Sequence, residues 1–176
     1  MRESLLIIGA STFSAVAYEI ANDMNCFDKI DFVDDQRIVS TNGKKIIGNV
    51  ASIAELSDKY RNVVVAIGSA DVRQKIVDQI KSQNLCNLVS LVSPRAYISP
   101  NSKIMGGCIV EPMAVIHTGC TIGEGCIISA GAVVNHESVC GDFVHVDCNA
   151  TVAGYSIVPP KTKVPCGSVF DNKPKA

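Results

Sequence analysis

The second half of the chain carries a hydrophobic pattern that fits neither a helix nor a lone strand. Over residues 92–170 an apolar residue returns at every sixth position, from Val92, Ile98 and Ile104 through to Val164 and Phe170, with no slip in register. Cys140 takes one place in this series. Four positions after each comes a small residue, such as Ala96, Ser102, Ala114 or Ser138, and only Val144 is larger. Helices repeat at about 3.6 residues and strands at about 2, so a double rule of period six predicts a triangular parallel β-helix. Three hexads make one coil; the aliphatic residue fills the prism and the small one fits the corner. Residues 98–169 hold twelve hexads, hence four coils. Pro159, Pro160 and Pro165 are expected to break up the repeat and mark a frayed cap, because proline cannot donate to a ladder.

The first half alternates instead. Residues 4–8 (SLLII) predict a buried strand, followed by a turn, Gly9, Ala10 and Ser11, and a helix over 13–24. Residues 30–33 predict a second strand ending in Asp34 and Asp35. Thr41-Asn42-Gly43 predicts a hairpin within 37–47. Ser52 is expected to cap a short helix reaching Tyr60, and residues 62–67 (NVVVAI) predict a third strand stopped by Gly68. A helix over 70–82 has Val72, Ile76, Val77 and Ile80 on one face, and 85–91 closes the unit. The order predicts a small, Rossmann-like parallel sheet flanked by helices over residues 1–91, with the β-helix over 92–170 and a polar tail over 171–176.

Ligand sites in such sheets lie at the carboxyl ends of the strands, which places Gly9 to Ser11, Asp34 with Asp35, and Gly68 at one crevice. The turn reads G-A-S-T-F-S and lacks the full dinucleotide fingerprint. Asp34 and Asp35 stand where an acidic residue meets a ribose hydroxyl, but two aspartates after a strand also simply solvate a loop, and spacing alone favours the second reading.

Charge and cysteine content narrow the classes. With 16 basic and 17 acidic side chains, net charge gives no case for nucleic acid or an anionic membrane. The apolar runs are too short to insert in a membrane and no signal-peptide pattern stands at the N-terminus, so a cytoplasmic protein is expected. Of eight cysteines, Cys108, Cys120 and Cys126 fall on corner positions and Cys140 on an inward one, which reads as compact filler; Cys148 and Cys166 face outward. There is no C-x-x-C pair.

His117, His136 and His145 all lie in the hexads, separated by 19 and 9 residues. That spacing does not favour a zinc triad, so no metal is expected. His117 reads as a surface residue. His136, next to Glu137 in N-H-E-S, is a candidate general base, since a neutral imidazole can take a proton from an amine or hydroxyl and a carboxylate can fix its tautomer.

The segments I-I-G-A (7–10), F-V-D-D (32–35), V-V-V-A-I-G (63–68), L-V-S-P-R-A-Y-I-S-P (91–100) and V-N-H-E-S-V-C-G-D-F-V-H-V (134–146) together resemble the NeuD/PglD group of hexapeptide-repeat sugar acyltransferases. The resemblance spans nearly the whole chain and implies a left-handed β-helix. It implies acetyl-CoA as donor and a nucleotide-linked amino sugar, or in some members a sialic acid, as acceptor. It further implies His136 as general base supported by Glu137, His145 on the acyl carbonyl, and the Gly154 N–H at the oxyanion. The acceptor nucleotide would lie at Gly9, Ala10, Ser11, Asp34, Asp35 and Gly68. The implied assembly is a homotrimer holding the thioester between neighbouring β-helices. Ile109, Val115, Ile127, Val133 and Val139, just before inward aliphatics, are expected around its threefold axis.

The chain departs from the group twice. Ser11-Thr12-Phe13-Ser14 replaces a G-G-H-G run, and the tail D-N-K-P-K-A replaces a further coil with its G-x-P-A segment. Two other readings fit the same residues: sugar O-acetylation, and a non-catalytic trimeric scaffold whose first domain binds a nucleotide.

Overall fold

The computed structural model describes residues 3–174; residues 1 and 2 of the first unit, and 175 and 176 of the tail, lie outside the described residues. The first unit runs β1 (Glu3–Ile8), α1 (Thr12–Asp23), β2 (Phe27–Val33), α2 (Ile53–Leu56), β3 (Asn62–Val65), α3 (Ala70–Ser82) and β4 (Asn87–Leu88). Its four strands form one parallel sheet in the order β2-β1-β3-β4. β1 is central and all but its first two residues are buried, which is why it reads as a continuous apolar run rather than an alternation. The hairpin forms, with Val39 bridging Lys45 and Gly43 in the left-handed region.

The short helix differs from expectation. Asn49, not Ser52, is the cap: its carboxamide accepts from the Ser52 N–H while the Ser52 hydroxyl accepts from the Asn49 N–H. A 3₁₀ turn over Val50–Ser52 then leads into α2, which stops at Leu56 rather than Tyr60. Tyr60 is instead buried, its hydroxyl donating to Asp31.

Fourteen two-residue strands follow, from β5 (Leu91–Val92) to β18 (Val169–Phe170), stacked as the three faces of a left-handed β-helix. Each residue pairs with the one 18 positions on, as Ile127 with His145 and Val134 with Val152. The inward column is buried from Val110 to Val164, with Val92, Ile98, Ile104 and Phe170 partly buried at its two ends. The small column does more than fill space. The Cys108, Cys120 and Cys126 thiols and the Ser138 hydroxyl each donate to a carbonyl 15 residues on, in the next coil, at 2.8–3.1 Å. All eight cysteines are free thiols, and burial pushes Cys140 up to about 12.

The prolines do not break the repeat. β16 (Ile157–Val158), β17 (Lys163–Val164) and β18 pair in register with the coil before them. Pro159, Pro160 and Pro165 sit in the turns, where no ladder donor is needed. Beyond them Asn172 continues the ladder, its carbonyl accepting from the Ile157 N–H.

The first unit covers one face of the prism. Leu91 and Ile109 are buried with Ile7, Ala17 and Ile20 of β1 and α1, while Phe143 packs with Ile76, Val77 and Ile80 of α3. Ile109 and Ile127 are therefore not free to line a threefold axis: they are 0% and 1% exposed, Ile109 under the first unit. Val115 and Val133 stay half-buried and Val139 exposed. Burying each such large apolar side chain contributes roughly 1.5–3 kcal/mol. The exposed pairs Lys81–Glu124 and Lys161–Asp71 across the same junction add about 0–1 kcal/mol each. No helix among the described residues is long and apolar enough to cross a membrane.

Candidate active site

Two surfaces hold the candidate residues. The first is a cavity of about 360 Å³ at the carboxyl ends of β1, β2 and β3, lined by Gly9, Ala10, Ser11, Asp34, Asp35 and Gly68 among others. The structure thus brings together all six residues that the sequence placed there. Asp34 builds its wall. One carboxylate oxygen accepts from the Ala10 N–H at 2.8 Å and the other from the N–H groups of Gln36 and Arg37 at 2.8 and 3.0 Å. Asp35 accepts from the Val50 N–H at 2.8 Å. Each carboxylate keeps lone pairs for a ligand hydroxyl, since an ionised carboxylate offers about four. Arg37, Val50 and Ile67 also line the cavity, as only the fold shows; so does Val72, which the sequence groups with Ile76, Val77 and Ile80 but which is 44% exposed at the cavity rather than buried with them.

The second surface is a corner of the prism. His136 stands in the turn between β12 (Val133–Val134) and β13 (Val139–Cys140), directly over Gly154 one coil on. A Cβ built on Gly154 would lie 2.8 Å from His136 Cε1 and 3.0 Å from Nε2, so the glycine is what lets the imidazole lie flat on the coil below. Tyr155 meets the ring edge-on, centroids 5.0 Å apart. No hydrogen bond of the described residues uses the Gly154 N–H. Glu137 lies beside His136 without a hydrogen bond to it. Its φ is 58°, and its carboxylate lies over Gly119, which occupies the same column one coil earlier.

His145 is elsewhere. It lies on β14 (His145–Val146), on the face opposite the His136 corner, because nine residues are half of an 18-residue coil. Within one chain the two histidines do not share a site. His145 Nε2 is 3.1 Å from Ser129 Oγ and 3.8 Å from Asp147 Oδ1, and Asp147 is held by Lys163 at 2.9 Å. Burial is the main reason its pKa falls to about 4; Asp147 opposes the shift, and Lys163 and Arg73 reinforce it. At neutral pH it is an uncharged imidazole, able to donate one hydrogen bond. Among the described residues no group of three or more His, Cys, Asp or Glu side chains is placed to hold a metal ion.

Residues 4–80 match the family model "PglD N-terminal domain", and residues 101–136 match "Bacterial transferase hexapeptide (six repeats)". No curated protein sequence matches the chain. Among solved structures, the acetyltransferase domain of PglB from Neisseria gonorrhoeae FA1090, in complex with acetyl coenzyme A, is 27% identical with a TM-score of 0.91, covering 96% of this chain and 82% of that one. A mutant of perosamine N-acetyltransferase from Caulobacter crescentus, in complex with CoA and GDP-perosamine, is 20% identical with a TM-score of 0.64 over 96% of this chain and 90% of that one. WeeI from Acinetobacter baumannii AYE is 18% identical with a TM-score of 0.71, over 97% and 89%. These last two speak to the fold.

Proposed function

We propose that the chain is a sugar acetyltransferase of the PglD/NeuD type, a reading supported by its PglD N-terminal domain, its hexapeptide repeats and its likeness to the PglB acetyltransferase domain, and that it moves an acetyl group from acetyl-CoA to the amino group of a nucleotide-linked amino sugar. Residues 1–91 would hold the acceptor and 92–170 would carry the chemistry. The observation that supports this most is the His136 corner, where an imidazole lies over Gly154 and no hydrogen bond of the described residues uses that glycine's N–H. A base and an oxyanion donor on one corner are what acyl transfer to an amine requires.

In this reading His136 takes the proton that the acceptor amine loses as its nitrogen bonds to the thioester carbon. The Gly154 N–H holds the charge that builds on the carbonyl oxygen. CoA then leaves as its thiol, carrying the proton His136 returns. Glu137 supports the corner electrostatically. Because His145 lies half a coil away, the His145 that donates to the acyl carbonyl comes from a neighbouring protomer, and the working unit is a homotrimer whose sites lie between chains. In the first domain, Gly9, Ala10, Ser11 and Gly68 would approach the acceptor's phosphates, and Asp34 and Asp35 its hydroxyls.

Thiol release from acetyl-CoA across nucleotide amino sugars, nucleotide sugars bearing only hydroxyls, and sialic acids tests the proposal. Turnover confined to amino sugars supports it; turnover on hydroxyl acceptors alone replaces it with O-acetylation, and none with any acceptor leaves the scaffold.

A further inference from the structure

Arg73 on α3 is fully buried, at 0% exposure, and its hydrogen-bond partners are all backbone carbonyls. Nη1 donates to Ile67 O at 2.7 Å and Gly68 O at 3.0 Å; Nε donates to Gly125 O at 2.7 Å and Nη2 to Phe143 O at 2.9 Å. A guanidinium buried without a carboxylate is costly, and desolvation lowers its pKa. Packing alone does not call for it, since α3 already buries Ile76, Val77 and Ile80.

What the four bonds join is more telling. Ile67 and Gly68 line the acceptor cavity. Gly125 and Phe143 are corners stacked one coil apart, and Phe143 precedes His145 by two residues. Their peptides are trans, so drawing the Ile67 and Gly68 carbonyls toward Arg73 turns the Gly68 and Ser69 N–H groups the other way. One rigid planar fork thereby sets both the orientation of the acceptor loop and its height against the coil that carries His145.

Resting on the function proposed above, we propose that Arg73 is a positioning residue that fixes where the acceptor's amine meets the acyl group, without touching either. Misplacing reacting groups by about 1 Å costs about 10²-fold in rate. Arg73→Met, which fills the space without the bonds, should lower acceptor-dependent kcat by about 10²-fold with the acetyl-CoA Kd within about twofold of parent. Turnover of Arg73→Ala should be restored saturably by millimolar methylguanidinium. Asp71→Ala, which removes only the exposed tie to Lys161, should change kcat by less than about twofold. Parental kcat in folded Arg73→Met, rescue of thermal stability without rescue of turnover, or an Asp71→Ala loss equal to that of Arg73→Met would each overturn the assignment. If Arg73→Met does not fold, Arg73→Lys keeps the charge without the fork, and parental kcat there overturns it equally. Should the parent prove inactive on amino sugars, the functional reading fails separately. Amide exchange at residues 67–69 then still decides the loop: a rise of about tenfold or more in Arg73→Lys supports the positioning role, and no change overturns it.

Discussion

The two halves of the molecule place polar groups by opposite means. In the first, a concave site depends on loops that must be tied: Asp34 spends hydrogen bonds on three N–H groups simply to shape the cavity wall. In the second, placement follows from register. Residues 18 apart stack, so His136 covers Gly154, and residues 9 apart take opposite sides, so His136 and His145 separate. A loop site can be completed within a chain, whereas a site on the convex corners of a rigid prism needs a second surface brought to it.

The largest expected effect lies on the coil. His136→Ala should lower kcat by roughly 10²- to 10⁴-fold with fold and acetyl-CoA affinity unchanged, as steady-state kinetics and calorimetry would read. A residual kcat above a tenth of parental would mean the amine attacks without His136.

Next comes a pH effect confined to the opposite face. His145 has a folded pKa of about 4 against 6.5 unperturbed, because burial disfavours its charge. Between those values the unfolded chain binds a proton that the folded one does not. Stability is therefore full above pH 6.5 and falls as pH drops toward 4, by up to about 3 kcal/mol. Urea unfolding at pH 7 and pH 4.5 should show this slope, and His145→Gln should flatten it; an unchanged slope would show that burial is not controlling His145.

Smaller still, Gly154→Ala should displace the His136 ring, since its Cβ would lie 2.8 Å from Cε1. A fall in kcat of about 10- to 10²-fold with unfolding little altered is expected, because a side chain can rotate away at modest cost. In the first half, Asp34→Ala should raise the acceptor KM about tenfold and leave the acetyl-CoA KM nearly unchanged. Asp35→Ala should do less, having one backbone bond to lose against three. Equal rises for donor and acceptor would erase the division of labour between the halves.

Legibility in the sequence follows the same division. The hexad rule predicts every coil strand because one residue type recurs at one position. A companion rule shows only in the backbone: the third residue after an inward aliphatic is left-handed from Gly107 onward, whether it is Gly119, Glu137 or Tyr155. Glycine is only one of several residues there, which hides the pattern. Proline does not break the coils as the sequence predicts, because its missing donor matters in a strand and not in a corner. The outward apolar residues divide only in the structure, because Ile109 looks the same in sequence whether it faces a neighbouring chain or its own first domain. Arg73 gave no signal, since its partners are carbonyls that every residue carries. The cavity residues were legible because strand ends converge in any such sheet, but that Asp34 ties the loop is visible only in its hydrogen bonds.

In the proposed trimer, one site draws His136 and His145 from different protomers. This is tested by mixing His136→Ala chains with His145→Ala chains in equal amounts under conditions that reassemble trimers. If the site lies between chains, a given interface has both histidines when each neighbour is of the right kind, one half times one half, so about a quarter of parental activity should return. If both histidines act within a chain, no interface is whole, and the mixture will show only the summed residual activity of the two variants.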